Sequence, residues 1–162
     1  MSTDRVQKQI LIKAPLSRVW RAISDSNEFG HWFGVKFTEP FKANTPVKGT
    51  LIGTAVDPEI HQAQQKHAGL SFEFVIDRIE PERLFSFRWH PHAVDRNRDY
   101  SAEPMTLVEF TLESQGNHTL LTVTESGFDQ IPLSRREEAF KANDGGWGLV
   151  IGLVEKYLRH ES

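Results

Sequence analysis

The 162-residue sequence has no cysteine, no excess of one charge and no long apolar run. Without cysteine, the chain forms no disulfide, thiolate zinc site, iron–sulfur cluster or cysteine nucleophile. Nineteen basic and 22 acidic residues give a net charge of −3, whereas a general nucleic-acid binder carries a basic excess. No segment approaches the roughly 20 apolar residues of a membrane span, and residues 1–15 lack the apolar run of a signal peptide. We therefore expect a cytoplasmic protein that binds neither nucleic acid nor membrane.

Apolar and aromatic residues are plentiful in this chain. They make up 38% and 10% of the sequence, which suffices for a compact core and excludes an intrinsically disordered chain. No repeat, linker or low-complexity segment divides the sequence. We therefore expect one domain, residues 1–162.

The first third of the chain predicts a strand followed by two short helices. Residues 6–12 partly alternate between apolar and polar side chains, as in a strand. Pro15 then opens a helix, at a position where a missing N–H costs little, and Val19 and Ile23 belong to its apolar stripe. A second short helix is expected at residues 25–33, with Gly30 weakening its middle.

The middle of the chain, from residue 35 to 125, has the alternating pattern of strands. We expect strands at 47–56, 70–79, 84–90, 105–112 and 118–125. The segment 84–90 places Phe85, Phe87 and Trp89 on one face, and 70–79 does the same for Phe72, Phe74 and Ile76. Because the connections are short, neighbouring strands should be antiparallel. Strands of about ten residues span about 33 Å, so they must cross the whole domain and curve.

Two polar segments, residues 57–69 and 90–104, interrupt the strands and are expected to be loops. Loops of this length in a compact domain are usually functional or mobile. The last third of the sequence predicts helix. Residues 134–141 suggest a first turn or two, Asn143 or Asp144 suggests the cap of a fresh start, and residues 147–159 have one apolar face. The order of elements predicts an α+β fold with this helix across one face of the sheet.

Four strings of the sequence resemble proteins of the START-like (SRPBCC), or helix-grip, superfamily. The opening segment APLSRVWRAISDSNEFGHWFG carries the family's alanine–proline and valine–tryptophan pairs and its tryptophan–phenylalanine pair. FEFVIDRIEPERLFSFRW resembles the central hairpin, LVEFTLESQGNHTLLTVTESGF the next hairpin, and GGWGLVIGLVEKYL the closing helix. Matching residues are Ala14, Pro15, Val19, Trp20, Ala22, Trp32, Phe33, Thr119, Leu121, Thr122, Gly127, Gly146 and Trp147.

This resemblance covers nearly the whole chain and implies a curved antiparallel sheet wrapped around a long C-terminal helix, with two short helices after the first strand. It also implies a cavity between sheet and helix. The nearest branch is the one named for the activator of the heat-shock protein 90 ATPase, a eukaryotic co-chaperone. The branch name makes a chaperone the alternative partner to a small ligand.

A curved sheet cannot lie flush on a straight helix, so large side chains or a ligand must fill the gap between them. We expect a small, largely apolar molecule there, since apolar pockets with few polar groups are the usual form of such sites. Nine aromatic residues are candidates for core or pocket, and the alternation of faces leaves both readings open. The predicted ligand-binding residues are Trp32, Phe74, Phe87, Arg88, Trp89 and Trp147. In this set Arg88 would bind a carboxylate of the ligand.

The sequence leaves the other polar residues open to several interpretations. Glu73, Arg88 and Glu109 lie in strands, where alternation favours a solvated outer face. Glu73, Arg88 or His90 would be the catalytic groups if the chain were an enzyme acting on a ring-containing metabolite. No nucleophile elbow, phosphate loop or dinucleotide fingerprint occurs, so the sequence predicts no cofactor and identifies no catalytic residue.

Histidines cluster in the two predicted loops. His90 and His92, with Asp95 and Asp99 nearby, have donor types that suit zinc or iron, and His61 and His67 lie in the other loop. The spacing is unspecific, so the sequence favours solvated loops at the mouth of the pocket over a metal site. A monomer and a homodimer both fit the sequence.

Overall fold

A computed structural model of the chain describes residues 5–95 and 97–161. In this part of the chain seven strands form one open, curved antiparallel sheet. They are β1 (Arg5–Ile12), β2 (Val35–Phe37), β3 (Pro46–Leu51), β4 (Ser71–Glu80), β5 (Leu84–Trp89), β6 (Thr106–Gln115) and β7 (His118–Ser126). Their order across the sheet is β1-β7-β6-β5-β4-β3-β2, and every neighbouring pair is antiparallel. The prediction of an antiparallel sheet is confirmed.

Helices cover one face of this sheet. The described helices are α1 (Leu16–Ser24), α2 (Ser26–Phe33), α3 (Pro58–Gln64) and α4 (Leu133–Glu161), with 3₁₀ turns at Gln65–His67 and Phe128–Gln130. Two short helices follow the first strand and one long helix closes the chain. This order confirms the predicted α+β, helix-grip fold. None of the described helices is both long enough and apolar enough to cross a membrane.

The predicted break near residues 143–144 is wrong, because α4 runs without interruption from Leu133 to Glu161. Both residues that were expected to cap a new helix make tertiary contacts instead. The Asn143 side chain donates a hydrogen bond to Glu125 of β7, and Asp144 lies 3.1 Å from the ammonium of Lys8 in β1. These contacts hold the helix against the sheet through a glycine-rich stretch that local propensity disfavours.

The predicted loop at 57–69 is also wrong in part, since it contains α3 and the 3₁₀ turn that follows. Asp57 caps α3 by accepting a hydrogen bond from the Ile60 N–H at 3.0 Å, and Pro58 stands in the first turn. The strand predicted at 47–56 ends at Leu51, because the chain then turns through Gly53, whose φ is 99°.

A register shift in the pairing of β4 with β5 bends the sheet. The shift lies between Ile76 and Arg78, so Asp77 is an extra residue in β4. Ser86 of β5 stabilises this bulge, because its hydroxyl donates to the Asp77 carboxylate at 3.0 Å and accepts from the Arg78 N–H at 3.1 Å. Bulges of this kind bend the strand that carries them and increase its twist.

The densest part of the core lies between α2 and the middle of the sheet. Phe29 of α2 is fully buried and meets the rings of four phenylalanines from β4, β5 and β6 at centroid distances of 5.8 to 6.4 Å. These phenylalanines are Phe74, Phe85, Phe87 and Phe110. Near-perpendicular ring pairs at such distances are favourable beyond the area they bury. This half of the space between helices and sheet is therefore filled by protein side chains.

Gly30 allows α2 to lie so close to the sheet. A Cβ at this position would come within 2.1 Å of the carbonyl oxygen of Val35, at the start of β2. The helix ends at Gly34, whose φ of 93° is a conformation that favours glycine. The backbones of α2 and β2 are therefore in direct contact at Gly30. This contact explains why glycine occurs there although it weakens the helix.

Helix α4 packs beside α2 and against β1 and is fixed at its C-terminal end. The Tyr157 hydroxyl donates to Glu28 of α2 at 2.8 Å, and Lys156 binds Asp57 at the start of α3. The ammonium of Lys156, and secondarily the Ile60 N–H, hold the pKa of the Asp57 carboxyl below its ordinary value. Nearer its middle, α4 stands away from β4 and β5 and leaves an open space.

Candidate functional site

A cavity of about 870 Å³ occupies this space. Strands β3, β4 and β5 form one side, and the middle of α4 and the segment 90–105 form the other; α3 closes one end. The apolar lining residues include Phe33, Leu51, Leu70, Phe72, Trp89, Tyr100, Met105 and Val150. Four charged residues, Lys48, Glu73, Asp95 and Arg98, also line it, and all four are exposed. Three histidines, two serines, Gln64 and Asn143 line it as well, so the cavity has a mostly apolar surface with polar side chains among the apolar ones and its charged residues exposed.

The turn at residues 52–54 and α3 form the end wall by means of one glutamine. The Gln64 side chain accepts a hydrogen bond from the Thr54 N–H at 2.7 Å and donates one to the Phe33 carbonyl at 3.0 Å. His61 adds a third link, with Nδ1 at 2.9 Å from the Thr54 carbonyl. These bonds tie the lining residues Ala63, Gln64 and His67 to the end of α2.

The segment 90–104 forms the opposite wall and is held by Arg135 of α4. The guanidinium is buried, with 5% of the residue exposed, and donates to the carbonyls of Pro91 and His92 at 3.0 and 3.2 Å. It also donates twice to the Glu103 carboxylate, at 2.8 and 3.0 Å. One arginine thus fixes both ends of the segment to the first half of α4.

Glu103 is the acidic partner in this arrangement. Arg98 donates to its second oxygen at 2.8 Å, and Tyr100 lies under both guanidinium groups at 4.7 and 5.3 Å. Burial acts to raise the pKa of Glu103, but the hydrogen bonds and charges of Arg135 and Arg98 outweigh it and hold the pKa below its ordinary value. The carboxylate form therefore holds this wall in place.

Glu125 of β7 is a second acid at the site, and unlike Glu103 it is fully buried. Its carboxylate accepts four hydrogen bonds, from two indoles, an amide and a hydroxyl. Trp89 and Thr106 donate to one oxygen at 2.7 and 2.5 Å; Asn143 and Trp147 donate to the other at 2.8 Å each. A carboxylate has about four acceptor positions, so this one is saturated. Glu125 therefore positions the side chains around it and has no acceptor left for a ligand.

The saturated carboxylate orients Trp89 and Trp147, which together with Phe33 we call the cavity floor. Because both indole N–H groups point to Glu125, Trp89 and Trp147 turn their carbon surfaces to each other and to Phe33. Their ring centroids are 5.8 Å apart, and Phe33 lies 6.2 and 6.1 Å from them. Because Glu125 takes up both indole N–H groups, the two tryptophans present carbon atoms to the space beneath α4.

The structure places the predicted ligand-binding residues in three different environments. Trp89 lines the cavity, whereas Trp147 packs against the Trp89 ring and lines a smaller adjoining cavity. Trp32, Phe74 and Phe87 are fully buried in the core beneath α2. In the described residues, these three contribute nothing to the lining of either cavity near α4.

Arg88 is exposed on the opposite face of β5 from Phe87 and Trp89, because neighbouring residues of a strand point to opposite faces. Glu109 lies close to Arg88 on the next strand, β6. Arg88 pairs with Leu107, and two residues earlier on β5, Ser86 pairs with Glu109. Of the residues named for an enzyme, Glu73 and His90 line the cavity and Arg88 does not.

The histidines of the segment 90–104 bond to different groups. His90 Nε2 lies 3.1 Å from the Glu103 carbonyl, whereas His92 Nε2 lies 3.4 Å from a carboxylate oxygen of Glu138 in α4. Among the side chains that the structure describes, no three of histidine, aspartate or glutamate are grouped so that they could hold a metal ion.

Sequence reasoning missed Glu125, Arg135 and Glu103. For Glu125 a signal was present, because Leu121, Val123 and Glu125 share one face of β7 and the first two are core residues. An acid on an inward face needs partners, so it marks a polar site. The pairing of Arg135 with Glu103 joins residues 32 positions apart and has no such local signal.

Residues 13–159 match the model of the family described as activator of Hsp90 ATPase homolog 1-like protein. The chain belongs to this family. The match covers the cavity together with Glu103 and Glu125, so the resemblance seen in the sequence is confirmed. The sequence matches no curated protein.

Solved structures share the fold of this family member. Protein MLL2253 from Mesorhizobium loti is 18% identical over 98% of both chains, with a TM-score of 0.70. The Aha1 dimer from Colwellia psychrerythraea is 14% identical over 93% of this chain and 92% of the other, with a TM-score of 0.64. DynU16, a protein of the dynemicin biosynthetic locus, is 23% identical over 96% of this chain, with a TM-score of 0.66. This chain spans only 47% of DynU16. At these identities the likeness shows the fold alone.

Proposed function

We propose that this protein binds a small, largely apolar molecule in the cavity between the sheet and α4. The observation that carries the proposal is the cavity itself, whose volume of about 870 Å³ lies within the range of ligand sites. Most of its surface is apolar, and its four charged residues are exposed. A molecule with an apolar body and a polar end fits this distribution.

The two walls support the proposal because they are built independently of any ligand. Arg135 and Glu103 hold the segment 90–104, and Gln64 holds the end of α3 against Phe33. Glu125 fixes the floor through Trp89 and Trp147. A site that is already formed in the free protein loses less entropy when a ligand binds.

Filling the cavity from α4 tests the proposal. Val150 lines the cavity, whereas its neighbour Leu149 is 64% exposed on the other side of the helix. We expect Val150→Trp to weaken the binding of the fluorescent probe 1-anilinonaphthalene-8-sulfonate by at least about tenfold, which corresponds to about 1.4 kcal/mol. Leu149→Trp adds the same ring outside the cavity and should bind the probe as the unchanged chain does. Probe titration followed by fluorescence measures both.

Equal affinities of the two variants, or an unchanged chain that binds no probe, would overturn the proposal. Thermal unfolding of each variant shows whether it is folded. If Val150→Trp fails to fold, Met105→Trp introduces the ring from the opposite wall. Native mass spectrometry of the freshly purified protein then identifies a retained ligand by an adduct that disappears on denaturation.

Membership of the family supports a second candidate function, action on a chaperone ATPase, because the family is described by that activity. The purified chain should then raise the ATP turnover of purified Hsp90 in a coupled assay. Turnover that stays at its basal rate over a wide range of chain concentrations would remove this candidate. The ligand proposal does not depend on the result.

A further inference from the structure

A second, smaller cavity of about 90 Å³ lies under α4 beside the first. Six residues line it: Phe33, Trp89, Asn143, Gly146, Trp147 and Val150. Four of them, all but Gly146 and Trp147, also line the large cavity. The small cavity is therefore an extension of the large one toward the buried Trp147, and we call it the inner slot.

The inner slot is apolar although three of its residues carry N–H groups. Trp89, Trp147 and Asn143 all donate those groups to Glu125, at 2.7 to 2.8 Å. The slot is therefore lined almost entirely by carbon. Water in such a slot finds few hydrogen-bond partners, and a buried water normally needs two to four.

Gly146 leaves the space that forms the slot. A Cβ built on Gly146 meets no heavy atom within 4 Å, so close packing does not require glycine there. Its position within α4 disfavours glycine by about 1 kcal/mol relative to alanine. Gly145, the preceding residue, has the same open surroundings but does not line the slot. Replacing either glycine should therefore change the stability of the helix by a similar amount, but only a side chain at position 146 would enter the slot.

We propose that the inner slot binds an aromatic ring at the apolar end of the ligand, an inference that rests on the proposed function. The rings of Phe33, Trp89 and Trp147 contact one another, with centroids 5.8 to 6.2 Å apart, and form one continuous aromatic wall of the slot. Aromatic pairs are favourable at about 4.5 to 7 Å between centroids, so a ligand ring placed against this wall gains aromatic contacts. The slot alone is smaller than the apolar cavity of about 150 Å³ that binds benzene in another protein, so an inserted ring occupies the slot and extends into the adjoining large cavity.

The rest of the ligand then lies in the large cavity with its polar end toward the exposed charged residues. Lys48 and Arg98 are among these together with Glu73 and Asp95, so they offer charges of both signs. Selection for the ring is therefore expected from the slot, and the exposed charges tolerate different polar ends. The ligand class that follows is a monocyclic or ring-terminated molecule with a polar group at the opposite end.

Toluene is the probe for the slot, and the four indole N–H signals in a ¹⁵N-correlation spectrum report where it binds. We expect toluene to shift the signals of Trp89 and Trp147. The Trp32 signal should stay in place, because that N–H is bonded to the Ala22 carbonyl in the filled core. Gly146→Val should weaken toluene binding by at least about tenfold, equivalent to about 1.4 kcal/mol.

Gly145→Val is the matched control and should bind toluene as the unchanged chain does, since its side chain projects elsewhere. Equal affinity of the Gly146→Val chain, or toluene shifts that spare Trp89 and Trp147, would overturn the inner-slot proposal. If 1-anilinonaphthalene-8-sulfonate still binds in the large cavity, the proposed function survives that failure. If neither probe binds the unchanged chain, the proposed function fails as well.

Discussion

Glu125→Ala should destabilise the fold by about 3 kcal/mol or more. The substitution removes the only described acceptor of four hydrogen bonds and leaves the donors of Thr106 and Trp147, both buried, without a partner. A buried donor left unsatisfied costs about 1 to 3 kcal/mol. Urea denaturation followed by tryptophan fluorescence measures the loss.

Glu113→Ala is the control, because Glu113 is an exposed acid on the adjacent strand β6. Removing it should change the free energy of unfolding by less than about 0.5 kcal/mol. A loss of the same size in both variants would show that Glu125 has no special role. Glu125→Gln keeps the size of the side chain but offers one acceptor oxygen instead of two, so it should fall between them.

The Glu125 variants also separate positioning from stability. If the carboxylate orients Trp89 and Trp147, its removal changes the near-ultraviolet circular dichroism of the folded protein. Binding of 1-anilinonaphthalene-8-sulfonate should also weaken in the variants that still fold. A less stable variant with native dichroism and native probe affinity would show that the floor keeps its shape without Glu125.

Arg135→Met should cost about 3 kcal/mol, since it leaves the nearly buried Glu103 carboxylate without its main partner. The backbone carbonyls of Pro91 and His92 lose their donors at the same time. The double variant Arg135→Met, Glu103→Gln should recover part of the loss, because it removes the unpaired charge. Thermal and urea unfolding of the unchanged chain, the two single variants and the double variant form a double-mutant cycle. Losses that simply add would show that the pair does not interact.

The same pair has a defined pH dependence. Because the pKa of Glu103 is lower in the folded than in the unfolded chain, the pair stabilises the fold above the ordinary value of 4.5. That contribution is lost as the pH falls below 4.5 through the folded-state value. The advantage of the unchanged chain over the double variant should therefore be constant between about pH 5.5 and 7 and shrink below about pH 4.5. An advantage that grows in acid would contradict this assignment.

The sequence pattern was sufficient for the sheet and for the faces of its strands. Phe85, Phe87 and Trp89 do share one face, as their spacing predicts, but their surroundings differ. Phe87 lies beneath α2 in the filled core, whereas Trp89 lies beneath α4 at the cavity. Alternation along a strand reports the face and carries no information about which helix covers each part of it.

Local signals failed where tertiary contacts decide the structure. The sequence around Asn143 has the composition of a helix start, but Glu125 and Lys8 bind Asn143 and Asp144 within one continuous helix. Arg88 was assigned to the pocket for its chemistry, and its position on the outer face follows from the same alternation that placed Trp89 inside. Chemistry alone is a weaker guide than the strand pattern at this site.

The hydrogen bonds of Glu125 set the spacing between α4 and the sheet at the deep end of the cavity. One carboxylate bridges Trp89 on β5 and Trp147 on α4, so the gap there is fixed by bond lengths that vary by only a few tenths of an ångström. At the mouth, the boundary is formed by exposed side chains that can rotate. The cavity should therefore discriminate between ligands by the thickness of the end that binds near Glu125. It should bind ligands of different lengths, because the side chains at the mouth can move aside.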